Sequence, residues 1–372
     1  MKIWIDGYEA NVAQRLGSGQ VAFELLKNIE KLDKENDYTV LLPSEPRDDL
    51  PKEREGFKYQ IIRPSKLWTR FALPLHLFRS SQKPDLIFSP THYIPQFTSL
   101  KRIVTVFDTG YFHFPETLPR ADLWKLKNWT KYSVKNAEHI ITISEAAKKD
   151  IIKFYKIDED KITVAYPGHS LSFKPVNDKA KVEKIKNQYK IQGNYIIYIG
   201  TIQPRKNLVR LIEAMKDIQD LKLVLVGKTK GLGRQGWKYQ EILATPSKLG
   251  IENKVIFTGF VPDEELVYLL SGASAFVFPS LWEGFGIPVV DAMACGKPVI
   301  VSNVASLPEI VGDAGVLVDP NSVDSIKDGI LKLVNDKALM QRLSHKSMDR
   351  AALFSWEKMA RQVLDVFRQT QK

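Results

Sequence analysis

Short runs rich in β-branched and aromatic residues alternate with helical patterns from one end of the sequence to the other. This alternation predicts the α/β fold class, with parallel sheets flanked by helices. It restricts the possible folds more than any other feature of the sequence. Helical patterns lie between the strands, as at Gln20–Lys31 and Leu123–Asn136. The predicted strands are Lys2–Asp6, Tyr38–Leu42, Tyr59–Ile62, Leu86–Phe88, Arg102–Phe107, His139–Ile143, Tyr195–Ile199, Leu221–Val226, Val255–Thr258, Ala275–Pro279, Pro298–Val301 and Gly315–Val318.

The sequence divides into two halves of similar organisation, and its 372 residues suit two domains of ordinary size. Between the halves, the segment from Phe173 to Gly193 carries six lysines and scattered apolar residues, which is typical of a polar linker followed by a solvated helix. We therefore predict two doubly wound, Rossmann-like domains at 1–172 and 194–353, a linker at 173–193 and a C-terminal segment at 354–372. Open parallel sheets bind ligands beyond the carboxyl ends of their strands, so the expected site is a cleft between two facing sheets.

The composition is that of a globular protein with an excess of positive charge. Apolar residues make up 44% and charged residues 26%, which excludes a mainly disordered or fibrous chain. Lys and Arg number 54 against 43 Asp and Glu, which gives a net charge of +11. This excess favours anionic partners, and it does not distinguish among nucleotide phosphates, nucleic acid and an acidic membrane surface.

The cysteine content and the hydrophobic pattern predict a cytoplasmic protein. Cys295 is the single cysteine, which excludes an intrachain disulfide and a multi-cysteine metal site, and the six histidines show no metal-ligand spacing. The N-terminal apolar run is broken at once by Asp6, unlike a signal peptide. The longest uncharged stretch, Leu266–Trp282, contains Gly and Pro and is short for a helix that spans a bilayer.

A pair of cations follows the strand Tyr195–Ile199. The chain continues as Gly-Thr-Ile-Gln-Pro-Arg-Lys-Asn over Gly200–Asn207 and then enters a helical pattern. Arg205 and Lys206 just before a helix N-terminus are typical of an anion site, to which free backbone N–H groups add. The alternative is a solvated basic turn, and the position at a strand end favours phosphate binding.

A glycine-rich loop with two acids follows the predicted strand Ala275–Pro279. Gly284 and Gly286 allow the backbone to approach a ligand closely, and the sequence predicts that a helix begins near Pro288. Glu283 then lies in the loop and Asp291 one turn into the helix. Two carboxylates in this arrangement suit the adjacent hydroxyls of a sugar, whereas each acid alone would be a helix-dipole partner or a surface acid.

A second glycine loop precedes the helix of the first half. Gly17–Ala22 satisfies the G-x-G-x-x-A pattern of dinucleotide sites, but ten residues separate Asp6 from Gly17, whereas that fingerprint requires glycine directly after the strand. We therefore interpret the segment as a loop that closes over the cleft, with a plain loop as the alternative. His92 follows another predicted strand and is either a cleft residue or an ordinary loop histidine.

Two segments combine aromatic and basic residues. The helix Asp122–Asn136 carries Trp129 among its apolar residues, with lysines on a four-residue stripe, and Leu67–Phe71 has a similar composition. Such patterns usually form a core face with a solvated face opposite. The alternative is contact with an acceptor or with a membrane surface.

With these segments, the sequence resembles the retaining, nucleotide-sugar-dependent glycosyltransferases of family 4, which have the GT-B fold. Glu283–Gly296 is similar to the signature E-G-F-G-x-P-x-x-E-A-M-A-x-G. Gly200–Asn207 is similar to the G-T-x-x-P-R-K-N form of mannosyl- and rhamnosyltransferase-like members. Supporting matches are Gly17–Gly19, Ile143–Glu145, Gly227–Lys228, Gly236–Trp237 and Phe354–Glu357, the last resembling the start of a helix that crosses back onto the first domain.

The resemblance implies roles for individual residues. Arg205 and Lys206 would hold the donor diphosphate, Glu283 would bind the donor sugar, and these three would be the catalytic residues. Asp291 would contact the ribose, and Gly259 with its two successors would lie near the base. The implied donor-binding residues are Gly19, Arg205, Lys206, Gly259, Phe260, Val261, Glu283, Gly284, Phe285, Gly286 and Asp291. The expected acceptor-side residues, in the first domain, are His92 and Asp108.

Two positions depart from the family pattern. Asp291 stands where the second signature acid is usually Glu, so the ribose contact is expected to be altered or mediated by water. Phe107, before Asp108, stands where many relatives have the His of a His-Asp pair, and it removes a polar contact beside the donor sugar.

The resemblance also implies a reaction. A hexosyl group would pass from a nucleoside-diphosphate sugar, with GDP-mannose favoured and UDP-glucose next, to a hydroxyl of a glycan, a glycolipid or a small molecule. Configuration would be retained and no metal or cofactor required, because the cations stabilise the leaving diphosphate. Three alternatives stay open: a GT-B-fold epimerase, an NAD(P)-dependent oxidoreductase and a nucleic-acid-binding protein, for which no motif is present.

Overall fold

The computed structural model describes residues 1–15, 17–228 and 239–371. These residues form two compact units, called unit 1 and unit 2 below. Unit 1 comprises 1–115, 119–168 and 355–372, and unit 2 comprises 116–118 and 169–354. Leu16 of the first glycine loop and the Gly236–Trp237 match lie outside the described residues. No helix within the described ranges is long and apolar enough to cross a membrane.

Unit 1 contains a seven-stranded sheet in which every strand pair is parallel, with the strand order β3-β2-β1-β4-β5-β6-β7. Its strands are β1 (Lys2–Asp6), β2 (Asp37–Leu42), β3 (Phe57–Ile61), β4 (Leu86–Ser89), β5 (Lys101–Val106), β6 (His139–Thr142) and β7 (Ile162–Val164). Its helices before residue 169 are α1 (Ser18–Leu32), α2 (Leu73–Arg79), which continues a π-helical turn over Trp68–Ala72, α3 (Gly110–His113), α4 (Arg120–Asn136) and α5 (Glu145–Tyr155).

Unit 2 contains a six-stranded parallel sheet with the order β10-β9-β8-β11-β12-β13. Its strands are β8 (Tyr195–Ile199), β9 (Lys222–Val226), β10 (Val255–Gly259), β11 (Ala275–Phe278), β12 (Val299–Ser302) and β13 (Gly315–Val318). Its helices are α6 (Lys179–Gln188), α7 (Leu208–Ala214), α8 (Tyr239–Leu249), α9 (Asp263–Gly272), α10 (Ile287–Ala294), α11 (Leu307–Val311), α12 (Val323–Val334) and α13 (Lys337–Ala351).

The central strands form the core of each unit. All four residues of β11 and all four of β12 are buried, as expected for parallel strands covered by helices on both faces. In each unit the first strand lies between the second and the fourth, so the chain direction across the sheet reverses there. Ligands of doubly wound sheets bind at this switch point, beyond the carboxyl ends of the two strands. The predicted α/β class with two Rossmann-like sheets is confirmed.

The predicted strands correspond to observed ones, with shifts of one or two residues at their ends, and β7 was not predicted. It is only three residues long and has one buried residue, Ile162, so its hydrophobic pattern is too short to recognise. The polar segment 173–193 lies within unit 2, where it contains α6. That helix packs on α9, and Tyr189 just after it donates a hydrogen bond to Glu265 at 2.5 Å.

The C-terminal helix α14 (Trp356–Gln371) belongs to unit 1 and packs on α1. Its strongly amphipathic pattern buries one face, and the Phe367 ring lies 5.2 Å from that of Phe88 on β4. Gln362 donates a hydrogen bond to the carbonyl oxygen of Val164 at 3.1 Å, and the Lys101 ammonium donates to that of Thr370 at 2.5 Å. The last helix therefore completes the unit that the N-terminal sequence begins.

Candidate functional site

The cationic loop and the acidic loop meet at the switch point of unit 2. The adjacent strands β8 and β11 end at Ile199 and Phe278, so Gly200–Asn207 and the segment that leads to Glu283 leave the same edge of the sheet. The backbone N–H of Leu281 donates to the carbonyl oxygen of Arg205 at 2.9 Å, which ties the two loops together. Residues 77 positions apart in the chain thus form one site.

The centre of this site is a buried ion pair. Lys206 Nζ lies 2.5 Å from Glu283 Oε1, and each residue exposes only 7% of its surface. The Arg205 guanidinium approaches the same oxygen at 3.4 Å and also donates to the carbonyl oxygen of Trp282. The site therefore places two cations around one carboxylate, with a local charge of about +1. We call these three residues the Arg205–Lys206–Glu283 cluster.

The cations keep Glu283 ionised in spite of its burial. Burial alone would raise the pKa of this carboxyl, but the charges of Lys206 and Arg205, with the hydrogen bond from Lys206, hold it below its usual value. A buried carboxylate that stays ionised is a strong acceptor for hydrogen bonds from hydroxyl groups.

Asn207 fixes the position of the cations, and its role was not predicted from the sequence. Its backbone has the left-handed conformation, φ +61°, which Asn tolerates better than most residues. Its side-chain amide donates to the carbonyl oxygens of Pro279 at 3.0 Å and Pro320 at 2.6 Å. The signal available in the sequence was an Asn between two cations and a helix.

The cationic loop uses part of its own backbone internally. Arg205 and Lys206 form a short 3₁₀ turn with Pro204, in which the N–H of Lys206 donates to Gln203 and that of Asn207 to Pro204. These two amides are therefore not donors for an anion. The expectation that N–H groups at the start of the following helix, α7, add to the two cations stays a prediction.

The acidic loop is held open by glycine and by a buried serine. Gly286 has φ +103°, a conformation that side chains rarely adopt, and it directly precedes α10. As predicted, Pro288 lies in the first turn of this helix. The fully buried Ser306 hydroxyl lies 3.0 Å from the carbonyl oxygens of both Glu283 and Phe285, to which it donates. No local signal identified Ser306, which is about twenty residues further along the chain.

At the same edge of the sheet, the residues that follow β9 and β10 include a glycine packed against neighbouring backbone and an exposed aromatic ring. A Cβ at Gly227 would lie 1.9 Å from the carbonyl oxygen of Gly200, so only glycine fits there. Gly259 ends β10 and accepts a hydrogen bond from Gly227 at 2.9 Å. Phe260 is 57% exposed, with the Lys228 ammonium 5.3 Å from its ring centroid, while Val261 is buried.

Asp291 lies in the second turn of α10. Burial raises its pKa to about 8, with a further contribution from the charge of Asp263. Its Oδ1 accepts a long hydrogen bond, 3.4 Å, from the backbone N–H of Ser170. The carboxyl is therefore largely protonated at neutral pH, so that it can donate as well as accept a hydrogen bond.

The remaining predicted residues lie in unit 1. Gly19 is buried in the first turn of α1, where a Cβ would lie 3.0 Å from the carbonyl oxygen of Glu9. His92 follows β4, and its ring lies 5.2 Å from that of Phe107. Burial lowers the pKa of His92, and its Nδ1 has no hydrogen-bond partner within the described ranges. Asp108 accepts a hydrogen bond from the N–H of Gly110 at 2.9 Å.

Within the described part of the chain, no three or more His, Cys, Asp or Glu side chains come together in a group that could hold a metal ion.

Both halves of the chain match known glycosyltransferase families. Residues 17–173 match the family described as Glycosyltransferase Family 4, and residues 181–350 match Glycosyl transferases group 1. O-antigen chain mannosyltransferase B from Escherichia coli is 33% identical over 294 residues, which cover 77% of this chain and 74% of that protein. O-antigen chain mannosyltransferase RfbU from Salmonella typhimurium is 31% identical, over 66% of this chain and 64% of that protein.

A solved structure of lower identity shows the same fold. HepE from Anabaena, in complex with UDP and glucose, has a TM-score of 0.76 at 19% identity, and the match covers 99% of each chain. The resemblance seen in the signature segments therefore extends over the whole length of the sequence. This chain is a glycosyltransferase of family 4 with the GT-B fold.

Proposed function

We propose that this glycosyltransferase moves a hexosyl group from a nucleoside-diphosphate sugar to a hydroxyl group, with retention of anomeric configuration. The Arg205–Lys206–Glu283 cluster carries this proposal, because it places two cations and an ionised carboxylate at the switch point of unit 2. GDP-mannose is the favoured donor, since the two relatives compared above are named mannosyltransferases. UDP-glucose is the next candidate, because HepE was solved with UDP and glucose.

In the proposed mechanism, Arg205 and Lys206 stabilise the diphosphate as it leaves. Negative charge develops on the bridging oxygen when the glycosidic bond breaks, and two fixed cations stabilise that charge in the transition state. Losing one such electrostatic partner typically lowers kcat by about 10²–10³. Because the two side chains provide the positive charge, the proposed reaction requires neither a metal nor an organic cofactor.

Glu283 is proposed to bind hydroxyls of the donor sugar. A carboxylate offers about four acceptor positions, and both cations approach the same oxygen, Oε1, so acceptor capacity remains for a sugar. The N–H groups of the Gly284–Gly286 segment are proposed to assist. The acceptor hydroxyl then attacks the face that the diphosphate leaves, through an oxocarbenium-like state, and its proton passes to the departing phosphate.

The nucleoside is proposed to lie along the same edge of the sheet. The exposed ring of Phe260, next to Gly259, provides a flat apolar surface on which a base can stack. Asp291 is proposed to contact the ribose, where its protonated carboxyl would donate to one hydroxyl and accept from another. Gly19 is proposed to contact the diphosphate.

The acceptor is proposed to be a glycan, a lipid-linked glycan or a small molecule with a free hydroxyl. His92 and Asp108 are the proposed acceptor-side residues, since they follow β4 and β5 at the carboxyl edge of the unit 1 sheet. Phe107 supplies no polar atom at its position, and the neutral imidazole of His92 lies against its ring.

A thermal-shift screen tests the donor assignment. Wild-type protein is heated with GDP, UDP, ADP, dTDP, NAD and the common sugar conjugates of these diphosphates, because a ligand that binds the native state raises its melting temperature. We expect one nucleoside diphosphate and its sugar conjugate to stabilise the protein. Stabilisation by NAD alone, or by none of these compounds, would contradict the proposal.

Two variants separate diphosphate binding from sugar binding. Lys206→Met should abolish the shift with both the diphosphate and its sugar conjugate. Glu283→Gln should keep the shift with the diphosphate and lose the extra stabilisation given by the sugar. The matched control is Lys327→Met, which removes a cation from an exposed ion pair with Asp324 in the same unit and should change neither shift. Turnover of the sugar nucleotide without any acceptor would instead favour an epimerase.

A further inference from the structure

Residues 107–113, which we call the β5–α3 segment, carry the charged group of the proposed acceptor side. Asp108 lies near the start of this segment, just beyond the carboxyl end of β5. Burial lowers the pKa of the His92 imidazole, and the charge of Asp108 acts on it in the opposite direction. Within the described ranges the Asp108 carboxylate accepts a hydrogen bond only from the N–H of Gly110, in its own turn. Other contacts must therefore fix this turn to the rest of unit 1.

Helix α5 provides these contacts through one oxygen atom. The fully buried Thr109 donates its hydroxyl to Asp150 Oδ2 at 3.0 Å. His113 Nε2 lies 2.7 Å from the same oxygen. Because a carboxylate accepts hydrogen bonds and does not donate them, the imidazole nitrogen is the donor. Asp150 thus connects to the β5–α3 segment on both sides of α3, at Thr109 and at the last residue of that helix.

Aromatic contacts with α5 lie between these two hydrogen bonds. The hydroxyls of Tyr111 and Tyr155 lie 2.6 Å apart. The ring of Phe112 stacks on that of Phe154, with 4.3 Å between their centroids. Apolar packing of this kind is not directional, whereas hydrogen bonds constrain both distance and angle. The rings therefore hold the segment against the helix, and Asp150 fixes where its first turn lies.

The acid at position 150 serves the β5–α3 segment more than its own helix. Asp150 is 8% exposed in the second turn of α5, and in the described part of the chain its carboxylate has hydrogen-bond partners only in that segment. The helix is capped separately by the Ser144 hydroxyl, which accepts a hydrogen bond from the N–H of Ala147 at 3.0 Å. Because burying a carboxylate is costly unless it is hydrogen-bonded, packing of α5 alone would favour an apolar side chain here.

We propose that Asp150 is a positioning residue for the acceptor side of the reaction, which holds Asp108 in place through Thr109 and His113. The inference rests on the proposed function, since that function assigns Asp108 to the acceptor. A displacement of about 1 Å at a reacting group can cost about 10²-fold in rate. Loss of Asp150 should therefore slow transfer and leave binding of the donor to unit 2 unchanged.

Steady-state kinetics tests the proposal with GDP-mannose as donor and methyl α-D-mannopyranoside as acceptor, by the rate of GDP release. Asp150→Ala should lower kcat by about 10²-fold and leave the KM for GDP-mannose unchanged. Asp150→Asn keeps an oxygen that can accept both hydrogen bonds, so its kcat should stay close to that of wild type. Wild-type kcat in Asp150→Ala, or an equal loss in both variants, would overturn the proposal.

A double-variant cycle shows whether Asp150 acts through Asp108. Asp108→Ala and Asp150→Ala should each lower kcat. The double variant should be no slower than Asp108→Ala alone, because the group that Asp150 positions is already gone. Losses that multiply would mean that the two acids act independently, which contradicts the proposal.

A matched pair of threonine variants separates positioning from a general loss of hydrogen bonding in unit 1. Thr109→Val removes the hydroxyl bonded to Asp150 and should lower kcat by about tenfold or more. Thr163→Val removes a hydroxyl that lies 2.8 Å from Nε2 of His139, the first residue of β6, and should leave kcat unchanged. An equal effect of the two substitutions would contradict a specific role of the Thr109–Asp150 bond.

Hydrogen exchange measured by mass spectrometry decides the positioning without any substrate. Peptides that cover 107–113 should exchange about tenfold faster or more in Asp150→Ala, and at the wild-type rate in Asp150→Asn and Thr163→Val. Peptides of unit 2 should be unchanged in all three variants. Wild-type exchange of 107–113 in Asp150→Ala would overturn the proposal. Faster exchange there, in a protein whose wild type does not turn over GDP-mannose, would support positioning by Asp150 and contradict the proposed donor.

Discussion

Replacement of Lys206 by Met should destabilise unit 2 because it leaves Glu283 buried without its closest cation. Removing one partner of a buried ion pair typically costs about 3–5 kcal/mol. Arg205 remains 3.4 Å from the carboxylate, so we expect the lower end of this range, about 3 kcal/mol. For a unit of this size, that loss corresponds to a fall of roughly 6–12 °C in melting temperature.

The pH dependence of the loss has a definite sign. Without Lys206, burial should raise the pKa of Glu283 above its unfolded value, so the folded variant takes up a proton that the unfolded chain releases. The penalty should therefore be largest at about pH 7.5 and should shrink towards about pH 5. Scanning calorimetry of both proteins across this range measures the difference.

A double variant separates the structural role of the pair from its functional role. Lys206→Met/Glu283→Gln removes both charges, and buried pairs replaced in this way often lose little stability, so the melting temperature should return to within about 6 °C of wild type. The exposed pair Lys327–Asp324 provides the control, since its double replacement should change stability by less than about 1 kcal/mol.

The double variant should recover stability without recovering nucleotide binding. The nucleoside diphosphate that stabilises wild type should give no shift with the double variant, because the cation proposed to hold it is absent. A single variant as stable as wild type, or a double variant that binds the nucleotide normally, would refute the reasoning.

Three further substitutions test other parts of the site. Asp291→Asn should raise the melting temperature by an amount that grows between about pH 5 and about pH 8. Burial raises the pKa of Asp291 from 3.8 to about 8, so the stability of the wild type falls as pH rises through that window. In calorimetry, a difference in melting temperature between variant and wild type that stays the same at every pH would contradict this prediction. Gly227→Ala places a Cβ 1.9 Å from the Gly200 carbonyl oxygen and should lower both the stability of the protein and its affinity for nucleotide. The control is Gly250→Ala, which lies in open space at φ +65°. It should cost only about 1–2 kcal/mol of stability and leave the nucleotide affinity unchanged in titration calorimetry. Ser306→Ala removes the donor to two buried carbonyl oxygens, so it should cost about 1–3 kcal/mol of stability and weaken nucleotide binding. A variant with unchanged stability in scanning calorimetry and unchanged affinity in titration calorimetry would show that the hydroxyl does not position the loop.

The sequence was sufficient to predict the class of fold, because strands buried on both faces leave compact apolar runs such as Tyr195–Ile199 and Ala275–Phe278. It was also sufficient to predict which loops leave the carboxyl ends of these strands. The three-residue strand β7 escaped because its pattern is too short. Local patterns thus determined the elements wherever they were long enough to repeat.

Pairing within the site could not be predicted in the same way. Lys206 and Glu283 are far apart in sequence, and they meet because β8 lies beside β11 in the sheet. Each residue was expected to bind a different part of the ligand, whereas the structure pairs the two side chains with each other. Ser306 lies in an ordinary polar stretch, and the raised pKa of Asp291 arises from burial by the surrounding fold. Tertiary packing decides properties of this kind.

The most direct test of the central claim is a crystal structure of the wild-type protein with the nucleoside diphosphate that stabilises it most. The account predicts that the diphosphate lies at the carboxyl edge of the unit 2 sheet, with its oxygens in contact with the side chains of Arg205 and Lys206. Its distal phosphate should face Glu283, where the sugar of an intact donor would lie. A diphosphate bound elsewhere, with the Lys206–Glu283 pair left untouched, would contradict the account.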